Sequence, residues 1–288
     1  MTTGTDTLLK TSDYKSENRP IWCPGCGDYG ALGSLTKAMA DLQLNPVKTV
    51  FVSGIGCSSR LPGFVNAYGF HGVHGRALAV AQGVKLANPE LTVISVGGDG
   101  DGLSIGGNHF MHAVRRNVNM TYVMLDNRIY GLTKGQDSPT TEPGRVTKAS
   151  PYGHLEQPID PVALALSIGA SFVARGYSAK PKELSYLIRE AIAHPGFAFV
   201  HALSPCVTFN RDFSFEKIDA MLADLPAEHD PNDRADAVRL ALADTLYLGI
   251  FVRDESKPEY GQVVAQMRER VGSKSGAVDI QRIVQQFC

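Results

Sequence analysis

One strand–loop–helix–strand unit constrains the fold of this 288-residue chain more than any other part of its sequence. Residues 91–96 (LTVISV) form a continuous apolar run, which is typical of a strand buried on both faces. A glycine-rich loop with two aspartates follows at 97–102, then a predicted helix over 109–115 and a second apolar run at 121–125. This order is that of a βαβ crossover, which predicts a parallel pair of strands.

The same alternation continues on both sides of this unit. Short apolar runs predict further strands at 49–53, 171–174 and 197–203. Apolar spacing or an Ala- and Leu-rich composition predicts helices at 32–42, 75–87, 162–168 and 183–193. Strands and helices that alternate along most of a chain predict a doubly wound α/β fold with a mostly parallel sheet.

The pattern changes near residue 210, so we predict a main domain over residues 1–210 and a C-terminal extension over residues 211–288. Within the extension, a helix is predicted at 235–245 and a polar tail at 257–276. Hydrophobic residues make up 43% of the chain and the net charge is −1, which favours a large core and gives no pull toward nucleic acid. The longest apolar runs are too short for a membrane span and the first twenty residues are polar, so we expect a cytoplasmic protein.

The loop after the first strand of the βαβ unit is acidic. Asp99 and Asp101 would repel a bare pyrophosphate, and the dinucleotide pattern G-x-G-x-x-G fails because its third glycine position is Leu103. Carboxylates at this position make sense if Mg²⁺ lies between the protein and a diphosphate. Asn127 follows the second strand, and the crossover brings both strand ends to one edge of the sheet. A flexible turn and an ordinary strand cap are the alternative interpretation.

This Gly-Asp-Gly loop with a distant asparagine resembles the metal motif of thiamine-diphosphate enzymes. The resemblance implies that Asp99, the Asn127 side chain and the Ile129 backbone carbonyl hold Mg²⁺. The family motif more often ends in Asn-Asn, whereas this chain has Asp126 before Asn127.

Four of the five cysteines are candidate ligands. Cys23 and Cys26 are separated by only two residues, while Cys57 and Cys206 each follow a predicted strand. Four thiolates suit either a tetrahedral zinc ion or a [4Fe–4S] cluster, and one close pair with two single cysteines favours the cluster. Cysteines that simply pack as small apolar residues are the alternative for Cys57 and Cys206. Cys288 is predicted to be uninvolved.

Six sequence blocks together resemble the β subunit of 2-oxoacid:ferredoxin oxidoreductases. They extend over residues 20–210 and read WCPGCG (22–27), SGIGCS (53–58), HGRA (74–77), GGDGD (97–101), YGLTKGQ (130–136) and SPC (204–206). The resemblance implies a thiamine-diphosphate-binding fold for residues 1–210, with one [4Fe–4S] cluster bound by Cys23, Cys26, Cys57 and Cys206. It also implies that the cofactor is contacted by Ile55, Gly56, Ser58, His71, Gly72, Val73, His74, Gly98, Gly100, Asp101, Gly131 and Leu132.

Arg60 and Lys134 are the candidate substrate contacts, because both are cationic and adjacent to cofactor segments. Pyruvate-type relatives tend to have Asn-Thr-Gly where this chain has Thr133-Lys134-Gly135, and a cation there could pair with a second substrate carboxylate. This favours 2-oxoglutarate over pyruvate. For each residue, the alternative is an ordinary solvated surface charge.

The resemblance implies oxidative decarboxylation of a 2-oxoacid to its acyl-CoA and CO₂, with coenzyme A as co-substrate and ferredoxin as electron acceptor. The reverse direction would fix CO₂. It also implies an obligate α subunit, which would supply the glutamate that activates the cofactor. A pyruvate-specific enzyme, a cluster-free thiamine decarboxylase or synthase, and a zinc-stapled binding module remain as alternatives. No nucleic-acid or membrane partner is expected.

Overall fold

Ten strands and nine helices are found in the part of the chain that the structure, a computed structural model, describes, which is residues 8–272 and 284–285. The strands are β1 (Thr49–Ser53), β2 (Tyr68–His71), β3 (Thr92–Gly98), β4 (Met120–Asp126), β5 (Ile129–Tyr130), β6 (Gln136–Asp137), β7 (Phe172–Tyr177), β8 (Phe197–Leu203), β9 (Leu222–Asp224) and β10 (Leu246–Arg253). The α-helices are α1 (Asp28–Asp41), α2 (Ala77–Ala87), α3 (Asp99–Leu103), α4 (Gly107–Arg116), α5 (Pro161–Ser167), α6 (Pro181–Ala193), α7 (Phe215–Asp219), α8 (Arg234–Ala241) and α9 (Tyr260–Gly272).

Eight of these strands form one sheet in the order β2-β1-β3-β4-β8-β7-β10-β9. Neighbouring strands are parallel except β10, which runs antiparallel to β7. Strands β5 and β6 form a separate two-stranded ribbon beside the carboxyl edge of the sheet. The predicted doubly wound, mostly parallel α/β fold is therefore confirmed.

Helices cover both faces of the sheet, which explains why its central strands are mostly apolar. Helices α1 and α6 pack on one face, with Leu35 and Ile188 among the buried residues. Helices α2, α4, α5 and α8 lie on the other face, where Phe110 and Leu166 are fully buried. No helix in residues 8–272 or 284–285 is long and apolar enough to cross a membrane.

The predicted strands at 49–53 and 197–203 match β1 and β8 residue for residue, and the other predicted strands differ by a few residues. The predicted polar tail over 257–276 contains a helix that was not predicted, α9 at Tyr260–Gly272, in its described part. Charged and polar residues on this exposed helix hide its periodicity. Cys288 and the last part of the predicted tail lie outside the described residues.

The extension was also predicted without a strand, yet β10 lies within it and pairs with β7 in the main sheet. Its sequence, LYLGIFVR, mixes buried and half-buried positions and so lacks the continuous apolar run of the central strands. The division of the chain at residue 210 stays a prediction. Helix α8 begins one residue before the predicted helix and ends at Ala241 instead of 245.

Candidate functional site

The cleft at the carboxyl edge of the sheet lies where β1, β3 and β4 end. Asp99 follows β3 directly, is 1% exposed, and accepts a 2.9 Å hydrogen bond from Thr140 Oγ1. The Ser138 side chain and the Asn127 backbone N–H also donate to this carboxylate. Burial, and then the nearby Asp126 carboxylate, raise the pKa of Asp99. Asp99 takes part in none of the salt bridges found among the described residues, so the protein leaves this carboxylate without a cationic partner.

Asn127 and Ile129 lie beside Asp99 in the same cleft. The Asn127 side-chain oxygen accepts the Ile129 backbone N–H at 3.0 Å, which is a tight turn directly after β4. The Asn127 backbone carbonyl is held in turn by Asn210 Nδ2 at 2.8 Å. One carboxylate, one amide oxygen and a peptide carbonyl are hard oxygen ligands of the kind that Mg²⁺ binds, so this donor set fits the predicted ion.

Asp101 has a different task from Asp99, because its carboxylate is bound by donors from two separate loops. Its Oδ1 atom accepts hydrogen bonds from the backbone N–H groups of Ile55 (2.9 Å) and Gly75 (2.7 Å) and lies 2.8 Å from His74 Nδ1. A Cβ atom on Gly54 would lie 2.1 Å from Asp101 Oδ2. Asp101 therefore joins the loops after β1 and β2 to the start of α3.

Most of the predicted cofactor contacts do line this cleft, which measures about 90 Å³. They are Ile55, Gly56, Ser58, His74, Gly98, Gly100, Asp101 and Leu132, together with Asp99, Asn127 and Ile129. Tyr130 and Thr133 also line it and were not predicted. The Tyr130 hydroxyl donates to the Gly100 carbonyl at 3.2 Å, and its ring meets His74 edge-on at 5.9 Å. Tyr130 is the first residue of the sequence block YGLTKGQ, so its place in that block could have identified it as a cleft residue.

The remaining predicted contacts lie outside the lining. His71 Nδ1 is 3.0 Å from Ser53 Oγ, the Gly72 N–H donates to the Ser53 carbonyl at 2.8 Å, and Val73 is 67% exposed. Gly131 lies between two functional groups. A Cβ atom there would be 3.5 Å from both Cys57 Sγ and Asn127 Nδ2.

Three segments bring the predicted thiol ligands together beside the cleft. Cys23 and Cys26 lie in one turn, closed by a 3.0 Å bond from the Cys26 N–H to the Cys23 carbonyl. The Gly27 N–H donates to the Pro205 carbonyl at 3.1 Å, which attaches this turn to the Cys206 segment. Trp22 Nε1 donates to the carbonyl of Cys57 at 2.7 Å and attaches it to the third segment.

Burial dominates the electrostatics of these thiols. It raises the pKa of Cys57 to about 11, and the charges of Asp28, Cys206 and Cys23 act in the same direction. Burial and Asp28 also raise the pKa of Cys26. The thiols are close enough to influence one another. However, no group of three or more His, Cys, Asp or Glu side chains within residues 8–272 and 284–285 is arranged to hold a metal ion.

The two candidate substrate contacts, Arg60 and Lys134, are exposed, and neither is among the residues that line the cleft. The Arg60 N–H donates to the Cys57 carbonyl at 3.2 Å, and the guanidinium charge lowers the pKa of the Cys57 thiol, against the larger effect of burial. Lys134 has a φ of +78°, a left-handed conformation that is unfavourable for a residue with a Cβ atom. Backbone strain of this kind is often found at binding sites.

Sequence reasoning missed a group of buried charged residues behind the metal loop. His201 Nε2 is 2.9 Å from Asp126 Oδ2, and Arg175, which is 0% exposed, donates from Nε to His201 Nδ1 at 3.3 Å. Burial raises the pKa of Asp126, but the hydrogen bond from His201 and the charge of Arg128 outweigh it and keep that pKa below its usual range. The signal in the sequence was a charged residue inside two otherwise apolar strands, FVARGY and FAFVHAL.

Two protein families match consecutive parts of the chain. Residues 54–202 match the C-terminal TPP-binding domain of thiamine pyrophosphate enzymes. Residues 206–269 match the C-terminal part of the pyruvate ferredoxin oxidoreductase beta subunit. The first match begins directly after β1 and includes β2 to β7, nearly all of β8 and the cleft, and the second begins at Cys206 and includes β9 and β10.

Individual relatives agree with these families. The chain is 50% identical over 214 residues to the 2-oxoglutarate oxidoreductase subunit KorB of Mycobacterium tuberculosis strain H37Rv, which is 74% of this chain and only 57% of that protein's length. It is 42% identical over 268 residues to the beta subunit of 2-oxoacid:ferredoxin oxidoreductase 1 of Aeropyrum pernix, covering 88% and 84% of the two chains.

A solved structure is similar over nearly the whole length. The 2-oxoglutarate:ferredoxin oxidoreductase of Magnetococcus marinus, determined with 2-oxoglutarate, coenzyme A and succinyl-CoA bound, superposes with a TM-score of 0.92 at 44% identity. The superposition covers 96% of both chains. The chain therefore belongs to the beta subunits of 2-oxoacid:ferredoxin oxidoreductases, within the thiamine pyrophosphate enzyme family.

Proposed function

We propose that this chain is the thiamine-diphosphate-binding subunit of an enzyme that oxidises 2-oxoglutarate to succinyl-CoA and CO₂ and reduces ferredoxin. The observation that carries the proposal is the cleft in which the uncompensated Asp99 carboxylate, Asn127 and Ile129 meet beside four thiols. The likeness to a 2-oxoglutarate:ferredoxin oxidoreductase at 44% identity supports the same activity. We assign the protein to the cytoplasm.

In this proposal Asp99, the Asn127 side chain and the Ile129 carbonyl hold Mg²⁺, which anchors the diphosphate. Gly98 leaves room for the phosphate groups close to the backbone, whereas the absence of a side chain at Gly100 makes room for the Tyr130 ring. The glycine-rich segment after β1 also lines the cleft. Thiamine diphosphate supplies the carbon–carbon bond cleavage and the electron sink when it is bound. Asp101 keeps the loops that line the cleft at a fixed distance from each other.

Cys23, Cys26, Cys57 and Cys206 would hold one [4Fe–4S] cluster, which would supply one-electron transfer to ferredoxin. Backbone hydrogen bonds between their three segments, which bring the thiols together beside the cleft, support this assignment. Ligation removes the thiol protons, so the metal must offset the burial that raises the pKa of Cys57.

The α subunit binds over the open side of the cleft and supplies the activating glutamate. None of the described residues that line the cleft is a glutamate. Exposed apolar side chains surround the opening, among them Ile55, Val73 and Leu132, and these suit a protein partner. Coenzyme A takes the acyl group at the interface.

Arg60 and Lys134 bind the carboxylates of the substrate. Both are exposed cations, Lys134 next to the cleft-lining Thr133 and Arg60 two residues after the cleft-lining Ser58. The strained backbone of Lys134 points to a constraint other than folding. With the cofactor anchored at Asp99, Lys134 is the residue we assign to the second carboxylate of 2-oxoglutarate. Pyruvate is the second candidate substrate, because the family matched at 206–269 is described by its pyruvate enzyme.

Steady-state assays of the reconstituted αβ enzyme test the assignment. The wild-type enzyme should reduce ferredoxin with 2-oxoglutarate at a higher kcat/KM than with pyruvate. Lys134→Ala should lower kcat/KM for 2-oxoglutarate about tenfold to hundredfold and leave that for pyruvate within about threefold, because pyruvate has no second carboxylate. Lys148→Ala, an exposed lysine of the same loop region, is the matched control. Preference for pyruvate in the wild type would replace 2-oxoglutarate in the proposal.

A further inference from the structure

A line of buried polar side chains leads from Asp99 into the sheet. Thr140 Oγ1 lies 2.9 Å from Asp99 Oδ2 and 3.0 Å from Asp126 Oδ1, so one hydroxyl bridges two carboxylates. The second oxygen of Asp126 lies 2.9 Å from His201 Nε2. All four side chains belong to residues that are at most 3% exposed. The ligand predicted for Mg²⁺ is thus the inner end of a connected hydrogen-bond network.

The line continues across two strands to the surface. Arg175 in β7 and His201 in β8 are register partners, so their side chains project from the same face of the sheet. Arg175 donates from Nε to His201 Nδ1 at 3.3 Å and from Nη2 to Asp160 Oδ2 at 2.6 Å. Asp160 is the N-cap of α5, where its Oδ1 accepts the Ala163 N–H at 2.6 Å. Its side chain is 27% exposed, so the line ends at solvent.

The arginine determines the direction of the hydrogen bonds. A guanidinium can only donate, so His201 Nδ1 accepts, and the neutral ring carries its proton on Nε2. That N–H donates to Asp126 Oδ2. Asp126 Oδ1 accepts the Arg128 backbone N–H at 2.8 Å and lies 3.0 Å from the Thr140 hydroxyl, whose single proton it shares with Asp99. The network therefore fixes Asp126 through donors on both of its oxygens, and Asp126 fixes the position of the Thr140 hydroxyl.

Packing alone gives no reason for an arginine in β7. The Arg175 side chain is 0% exposed, lies 5.4 Å over the Phe251 ring, and keeps Nη1 without a hydrogen-bond partner. An apolar side chain of similar volume would fill such a position without a charge to desolvate. Positioning of the Asp99 carboxylate explains this network better than a gain in folding stability does.

We infer that Thr140 is the positioning residue for the metal-facing carboxylate of Asp99, with Asp126, His201 and Arg175 as its buried support. The inference rests on the proposed function, because it requires Mg²⁺ at Asp99. Thr140 belongs to the loop that follows Lys134, and Thr141 Oγ1 in that loop donates to the Arg128 carbonyl at 2.7 Å. The same contacts therefore align the metal loop and the loop that carries the candidate substrate contact.

Three variants of the full chain, each purified with its α subunit, test this role. Thr140→Val removes the hydroxyl and keeps the shape, and Thr140→Ser restores a hydroxyl. Thr121→Val is the matched control, because Thr121 is also buried, but its hydroxyl donates to the Ala191 carbonyl away from the cleft. The Mg²⁺ concentration for half-maximal thiamine-diphosphate binding is measured by calorimetry, and the melting temperature is measured without ligands.

Loss of the bridge should raise the half-saturating Mg²⁺ concentration of Thr140→Val about tenfold to hundredfold, as expected for a residue that orients a metal ligand. Thr140→Ser should stay within about threefold of the wild type, and Thr121→Val should not differ from it. Arg175→Met, at the far end of the line, should give a smaller shift in the same direction.

Unchanged Mg²⁺ dependence in a folded Thr140→Val protein would overturn the positioning role. Equal weakening in Thr140→Val and Thr121→Val would also overturn it, since the effect would then follow from general destabilisation. A wild-type enzyme that binds thiamine diphosphate without Mg²⁺ would contradict the proposed metal site itself, which separates failure of the proposed function from failure of this inference.

Discussion

Asp99 and the four thiols lie at the same edge of the sheet, but the chain holds them in different ways. The Asp99 side chain is surrounded by donors from Thr140, Ser138 and the Asn127 backbone, so its orientation is set before any ligand binds. The thiols are placed by backbone contacts of their segments, such as the Gly27 N–H on the Pro205 carbonyl. Hydrogen bonds to the side chain therefore preorganise Asp99, whereas hydrogen bonds between backbone groups preorganise the thiol segments.

The Asp99 side and the thiol side of the cleft also require different ligands. Burial and Asp126 raise the pKa of Asp99, so this side needs positive charge. Burial raises the pKa of Cys57 and Cys26, so this side needs a metal that replaces thiol protons. A cation without thiol affinity suits the first side, and a thiophilic metal suits the second. The two sides should therefore fail independently.

The largest expected effect is on the carboxylate side. Asp99→Asn should weaken Mg²⁺-dependent thiamine-diphosphate binding more than about hundredfold, because the charged ligand is lost. The unliganded protein should be as stable as the wild type or more stable, since a buried negative charge beside Asp126 is removed. Calorimetric titration and chemical denaturation measure the two quantities. Asp212→Asn, at an exposed aspartate paired with Lys217, is the control. A large loss of unliganded stability would contradict this account.

Cys206→Ser should produce the opposite pattern. Anaerobically purified wild-type protein should contain roughly four iron and four acid-labile sulfide per chain, and the variant should fall below about one iron. Thiamine-diphosphate affinity should stay within about threefold, because Cys206 does not line the cleft. Cys288→Ser, at the remaining cysteine, should keep its iron. About one zinc and no sulfide in the wild type would favour a structural metal site instead.

The carboxylate side of the cleft could be predicted from the sequence, whereas the buried polar residues behind it could not. Asp99 and Asn127 were predictable because a βαβ crossover places consecutive strand ends together, and this depends only on local order. Arg175 and His201 were not, because their meeting depends on β7 lying next to β8 and on the register between them. Strand β10 was missed for a related reason. It is antiparallel and half-buried, so it lacks the apolar run that marks the parallel strands.

The Asp101 contacts that connect the loops after β1 and β2 can be disturbed without replacing a proposed metal ligand. Gly54→Ala should destabilise the chain by about 1–3 kcal/mol, because its Cβ would collide with the Asp101 carboxylate that joins two loops. Gly63→Ala, where a Cβ meets nothing within 4 Å, is the matched control. Urea denaturation measures the difference. A folded Gly54→Ala protein with wild-type stability would show that Asp101 moves freely, which would weaken the case for a preorganised carboxylate side.

The smallest effect on cofactor binding is expected at the opposite edge of the sheet, where none of the described cleft-lining residues lies. Burial, and then the charge of Arg253, lower the pKa of His194 to about 4. Its Nε2 is 2.9 Å from Ser171 Oγ, and Nδ1 has no hydrogen-bond partner. The unfolded chain binds this proton below pH of about 6.5, while the folded chain resists it until about 4, so stability falls as the pH is lowered through this range.

After allowance for partial solvent screening, the loss between pH 7.5 and 4.5 that is due to His194 should be about 2 kcal/mol. His194→Asn removes the titration, so chemical denaturation of this variant should show a pH dependence flatter by that amount. Binding of thiamine diphosphate at pH 7.5 should be the same in both proteins, because His194 precedes β8 and the cleft lies beyond the other ends of the strands. Equal acid sensitivity of variant and wild type would show that His194 is not the source of the loss.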